Sequence, residues 1–220
     1  MAGTASTKRG GGGMSERRRH RIRLEISREA CRLFWDQGVD ATSGDQIAEA
    51  VGLSVRTIWR HFRSKESCAE PIVMEGVKLE MSTLRSWPPE LSLEAHFLAE
   101  STRIGQELGP VEAADSLLAM KMIRLADSEP AIRTAWLMAC DQVEREMAEI
   151  IARRLQLPVK DTEVRLHAAA AAATLRVINE DVGASLLDGA DPRQFADTST
   201  RIAHAVRRAT GGAVGDPITA

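Results

Sequence analysis

The chain is predicted to be all-α, with a small N-terminal three-helix head joined to a larger helical body. Apolar residues recur at three- and four-residue intervals almost throughout, and no window alternates apolar and polar for long. Gly and Pro gather at a few boundaries instead of dividing the chain into short strands. A length of 220 residues suits one large or two small domains.

Charge is divided unevenly along this length. Residues 1–63 carry 12 Lys/Arg against 7 Asp/Glu, and residues 64–220 carry 17 against 24, for a net charge of −2. A basic head on an acidic body suits a polyanion-binding module fused to something else; an uneven spread of solvated faces gives the same split. Cys31, Cys68 and Cys140 are odd in number, far apart and without C-x-x-C spacing, which predicts neither a disulfide framework nor a zinc site. No run of about 18 apolar residues suggests a membrane span, and the N-terminal charges precede no apolar signal segment. A cytoplasmic protein is expected.

Residues 1–15, with Gly10 to Gly13, cannot bury apolar surface and are predicted to be disordered. The head is placed at 16–63. Ile22, Ile26, Ala30, Leu33 and Phe34 stripe a first helix ending at Gly38. Ser43 with Gln46 forms a capping box for a short second helix through Val51, and Ser54 caps a third through Phe62. Ser64-Lys65-Glu66 opens a connecting helix over 64–86, in which Pro71 is expected to cause a kink. Trp87-Pro88-Pro89 is the expected boundary before a body at 87–210. Its helices are striped by Leu93, Phe97 and Ile104; by Leu118 and Met122; by Ile132, Trp136, Val143 and Met147; by Val164, Ala168, Ala171 and Leu175; and finally by Phe195, Ile202 and Val206. A flexible tail is expected over 211–220.

Gly44 to Phe62 is the informative stretch. Two short helices meeting steeply need a small residue at their approach, a residue tolerant of positive φ at the turn, and apolar contacts behind. Ala48, Gly52 and Ile58 supply these, with Ile47, Val51 and Leu53 on the buried side. Many helical hairpins never touch DNA. Here, however, the outer face of the third helix presents Arg56, Thr57, Trp59, Arg60 and His61 without a single acid.

Thr42-Ser43-Gly44-Asp45-Gln46-Ile47-Ala48, Gly52-Leu53-Ser54, Thr57-Ile58-Trp59-Arg60-His61-Phe62 and Ser64-Lys65-Glu66 together resemble the signature of TetR-family transcriptional regulators. The resemblance covers residues 16–70. It implies that the third helix enters the major groove, with Arg56, Thr57 and Arg60 as base readers and Val55 beside them. It also implies that Thr42, Ser43, Ser54, His61 and Lys65 hold phosphates. Trp59 stands where the family usually has Tyr, so its indole N–H would replace a phenolic hydroxyl. Gly44 replaces a usual apolar residue and is expected to loosen the second helix. Arg17, Arg18, Arg19, Arg21 and Arg23 form either a minor-groove arm or a solvated basic face.

The body has room for two tasks, dimerisation and ligand sensing. The helix over about 160–187 carries a second apolar stripe through Leu166, Ala170, Ala173, Val177 and Leu187, so it should be buried on two sides. A symmetric interface through residues 160–209 is expected, which arginine at Ala171 or Ala172 should disrupt. Phe97, Met120, Met122, Trp136, Met138 and Asn179 are the pocket candidates, since Met and Trp line adaptable apolar sites. The resemblance thus implies a homodimer on double-stranded operator DNA, gated by a small apolar or amphipathic effector and acting as a repressor. A constitutive DNA binder with a packed body is the alternative. The chain shows no nucleophile-elbow, metalloprotease or dinucleotide-binding motif, so neither enzymatic activity nor a cofactor is expected.

Overall fold

The computed structural model describes residues 11–195 and 197–218. Among them are nine α-helices, two short 3-10 segments and no strand. They form two compact units, one through Pro71 and one from Ile72 onward.

The first unit holds α1 (Gly11–Gln37), α2 (Gly44–Ala50), α3 (Val55–His61) and a 3-10 turn at Glu66–Ala69. The 27 residues of α1 extend about 40 Å. Residues 11–15, expected to be disordered, are its first turn; residues 1–10 of that expected segment lie outside the described residues. Arg17 to Arg23 therefore stand on a helix and not on an extended arm. Gly38 ends α1 with a φ of +91°, a conformation that favours glycine. Ile26, Ala30 and Phe34 close the core against Ile47, Ala48, Ile58 and Phe62, none more than 5% exposed. Leu53, expected on the buried side, follows the Gly52 turn and is 38% exposed.

The predicted continuous helix from Ser64 is broken at its start. Ser64 and Ser67 cap one another, each hydroxyl accepting the other's amide at 3.1–3.2 Å, and this closes the 3-10 turn. Helix α4 then spans Glu70–Arg85, so Pro71 is its second residue. A missing N–H costs no intrahelical bond in the first turn, and the reason for the expected kink disappears.

The second unit comprises the rest of α4 with α5 (Leu93–Glu107), α6 (Pro110–Leu125), α7 (Pro130–Leu155), α8 (Thr162–Leu187) and α9 (Thr198–Ala209). Helix α8 packs on α6, α7 and α9, and α9 packs on α5. The Trp87-Pro88-Pro89 turn lies within this unit and is not its edge. Trp87 is buried, its ring covered by the Arg154 guanidinium at 3.4 Å, and its Nε1 donates to the Leu91 carbonyl. Phe195 belongs to a short 3-10 segment, Pro192–Phe195, ahead of the last helix.

Residues 211–218 depart from the expected flexible tail because they return to the body. The Leu93 amide donates to the Gly215 carbonyl and the Ile218 amide to the Pro89 carbonyl, both at 2.8 Å. Val214 is buried, and Asp216 pairs with Arg207. Residues 219–220 lie outside the described residues. No helix among the described residues is long and apolar enough to cross a membrane.

Of the two α8 stripes, only one is buried inside the protomer. Val164, Ala168, Ala171 and Leu175 are at most 2% exposed. Ala172 is also buried, so arginine at 171 or 172 would break this unit's own core and could not locate a dimer interface. Leu166 and Val177, on the second stripe, are 65% and 46% exposed.

Candidate nucleic-acid interface and body cavity

Capping fixes the position of α2. Ser43 Oγ accepts the Gln46 amide at 3.2 Å while Gln46 Oε1 accepts the Ser43 amide at 2.8 Å, the reciprocal pair its sequence predicts. After α2, Gly52 adopts a φ of +66°, and the Leu53 amide returns to the Ala48 carbonyl at 2.9 Å. This tight return brings α3 across α2. Ser54 caps α3 by accepting the Thr57 amide, and its hydroxyl lies 2.8 Å from Thr57 Oγ1. Ile58 points into the core, leaving Arg56, Trp59 and Arg60 on the exposed side. Arg56 and Arg60 are one helical turn apart and pair with no acid among the described residues. Val55 and Thr57 flank them, half-buried.

Trp59 and Gly44 form a matched pair. A Cβ at position 44 would overlap the six-membered ring of Trp59, so only glycine admits the indole against the start of α2. Gly44 therefore makes room for a large ring, and the expected loosening of α2 is corrected. Trp59 remains 44% exposed. Gly44→Ala is expected to displace this ring and weaken DNA binding, and to have no such effect in a Trp59→Ala background. The coupling, read by a double-mutant cycle on DNA affinity, should fall within about 0.5–3 kcal/mol. Additive effects would show that the two positions act separately.

The expected phosphate contacts divide into two groups. Ser43 and Ser54 are exposed. Thr42 is 2% exposed; its hydroxyl donates to the Gly38 carbonyl at 2.8 Å and accepts from Gln37. Lys65 Nζ donates to the carbonyls of Val39, Asp40 and Thr42 at 2.7, 3.2 and 2.9 Å, which occupies all three ammonium protons. Both ring nitrogens of His61 are buried and without a hydrogen-bond partner among the described residues. Burial, followed by Arg60, Arg19 and Arg23, holds the His61 imidazolium below its usual range. Arg23, expected in a minor-groove arm or on a solvated basic face, takes a structural role instead. It donates to the His61 carbonyl at 2.6 Å, covers the Phe62 ring at 4.6 Å and lies 4.0 Å from Glu70. It fixes the exit of α3 to α1.

The second unit contains a cavity of about 320 Å³. Four predicted pocket residues line it: Phe97, Met120, Trp136 and Asn179. Met122 is instead fully buried in the core, and Met138 is 53% exposed on the outside of α7. Helical register accounts for both, since Met122 stands two residues beyond Met120 and Met138 two beyond Trp136. Trp136 Nε1 donates to Glu180 at 2.7 Å, and Arg133 joins the same carboxylate at 3.1 Å. Sequence reasoning missed Glu80, although a signal existed. It interrupts the α4 stripe of Val73, Val77 and Leu84, where an acid has no ordinary place. Glu80 Oε2 accepts from Asn179 Nδ2 at 3.0 Å, and desolvation pushes its carboxyl up to about 7 despite that bond.

Residues 26–72 match the family model described as bacterial regulatory proteins, tetR family. The chain is 33% identical over 155 residues to the HTH-type transcriptional regulator TcmR of Streptomyces glaucescens, covering 69% of this chain and 68% of TcmR. Among solved structures, Salmonella enterica GusR is similar with a TM-score of 0.54 and 18% identity, over 85% of this chain and 96% of GusR. Thermus thermophilus FadR, a TetR-family repressor in complex with lauroyl-CoA, matches with a TM-score of 0.52 and 18% identity, over 86% and 94% of the two chains. These two structural likenesses concern the fold.

Proposed function

The chain belongs to the TetR family of bacterial transcriptional regulators and is a DNA-binding protein, and from that premise we propose that it is a repressor that binds an inverted-repeat operator as a homodimer and releases it when a small amphipathic effector enters the body cavity. The observation that carries the DNA reading is the exposed, acid-free face of α3. Arg56 and Arg60 suit bidentate contacts to guanine edges, with Thr57 and Val55 beside them. Ser43, Ser54 and Trp59, all exposed, suit contacts to phosphates. Thr42, Lys65 and Arg23 act as positioning residues that hold the loop before α2 and the end of α3.

The exposed stripe of α8 supports the homodimer, since Leu166 and Val177 stay largely exposed in the single chain. Val177→Arg is expected to give a folded monomer with lost operator binding, read by sedimentation and by an unchanged thermal midpoint. An intact dimer would place the interface elsewhere.

The cavity favours a gated regulator over a constitutive one with a packed body. An effector releases DNA only by preferring a conformation that binds operator poorly. A coupling of about 1–3 kcal/mol changes operator affinity about 5- to 150-fold, and operator must weaken the effector equally. A thermal-shift screen of metabolites, followed by operator titration with each hit, tests this reading. Hits that stabilise the protein and lower operator affinity support it. Hits without any effect on operator favour the constitutive reading.

A further inference from the structure

The polar lining of the cavity is one-sided. Glu80, Asn179, Thr83 and three serines face it, but none of its described lining residues is Lys, Arg or His. Glu100 also contributes to the wall, but its carboxylate is held by Arg103 at 2.6 Å on α5. Glu80 has no such cation among the described residues. Its one hydrogen bond comes from the neutral Asn179 amide, and its Oε1 has no partner among the described residues. The remaining wall is apolar and aromatic, with Phe97 and Trp136 among its members.

We propose that the cavity selects an amphipathic ligand carrying a protonated amine, received by the Glu80 carboxylate that Asn179 orients, with its apolar part against Phe97 and Trp136. This rests on the effector reading given above and assigns the chemistry of that effector. An ionised acid removed from water requires an opposite charge or a donor. A protonated amine supplies both, and the aromatic walls attract a cation further. A carboxylate ligand would instead set its charge against Glu80 with no basic residue to offset it. Oε1 is the free acceptor, while Asn179 keeps Oε2 occupied and fixes the carboxyl plane.

Three probes of one shape separate the possibilities: 3-phenylpropylamine, 3-phenylpropan-1-ol and 3-phenylpropionate, titrated by calorimetry against the full chain. The amine is expected to bind about tenfold or more tightly than the alcohol, as a charge-assisted hydrogen bond implies, and the acid most weakly. Glu80→Gln should bring amine and alcohol to within about twofold while the alcohol retains its affinity. The ranking on the unsubstituted protein decides the matter even if the variant does not fold. An alcohol or acid that binds as well as the amine overturns the assigned chemistry and leaves the effector reading standing. Failure of all three probes, with no stabilising hit in the metabolite screen, overturns both.

Discussion

Arg56→Ala and Arg60→Ala are each expected to weaken binding to the preferred DNA site by about 1–3 kcal/mol and to relax base preference at one position per half-site. The two side chains occupy one face of α3 a single turn apart, and Ile58 anchors the opposite face in the core. Neither arginine has an acidic partner among the described residues to retain it, so its guanidinium can reach a base edge without breaking an ion pair. The double variant should lose more than either single one, to the point of non-specific binding. Because both positions are exposed, unfolding free energies should stay within about 0.5 kcal/mol of the parent. Affinity measured on the preferred site and on a scrambled duplex checks the assignment. Equal loss on both would reduce these arginines to phosphate contacts.

Lys65→Met is expected to destabilise the first unit by about 2–3 kcal/mol. Methionine keeps much of the stem's apolar volume but leaves the carbonyls of Val39, Asp40 and Thr42 without their shared donor. That loop sets the start of α2, so its loss should also lower DNA affinity by populating misplaced heads. The salt dependence distinguishes this role from a phosphate contact. Protein that remains folded should keep the parent slope of log affinity against log salt, whereas loss of a phosphate contact flattens it by about one unit. Urea unfolding and the salt titration together check both statements.

Sequence patterns revealed most of the architecture, since local chemistry decides most of it. The capping box at Ser43 and Gln46, the positive-φ turn at Gly52 and the Ser54 cap each involve residues within three positions of one another. Long-range pairings were less legible. Nothing local indicates that Lys65 reaches back to residues 39–42, or that Thr42 turns its hydroxyl inward. The relation of Gly44 to Trp59 likewise requires knowing how steeply α3 crosses α2. In the body, heptad stripes identified the buried face of α8, but not which stripe stays uncovered. Met122 and Met138 show the limit for the cavity, because composition suggests a Met-rich site while helical phase decides which methionine enters it. Glu80 was the most informative residue left unread, although its place in an apolar stripe made it visible.

A homodimer that reads DNA with two copies of α3 must select a two-fold symmetric site. Selection of bound fragments from a random duplex pool, followed by sequencing, tests this most directly. Two equal half-sites in inverted orientation are expected to be enriched, with Arg56→Ala and Arg60→Ala each erasing preference at one position in both halves. Enrichment of a single unpaired site, or no enrichment above the input pool, would contradict this.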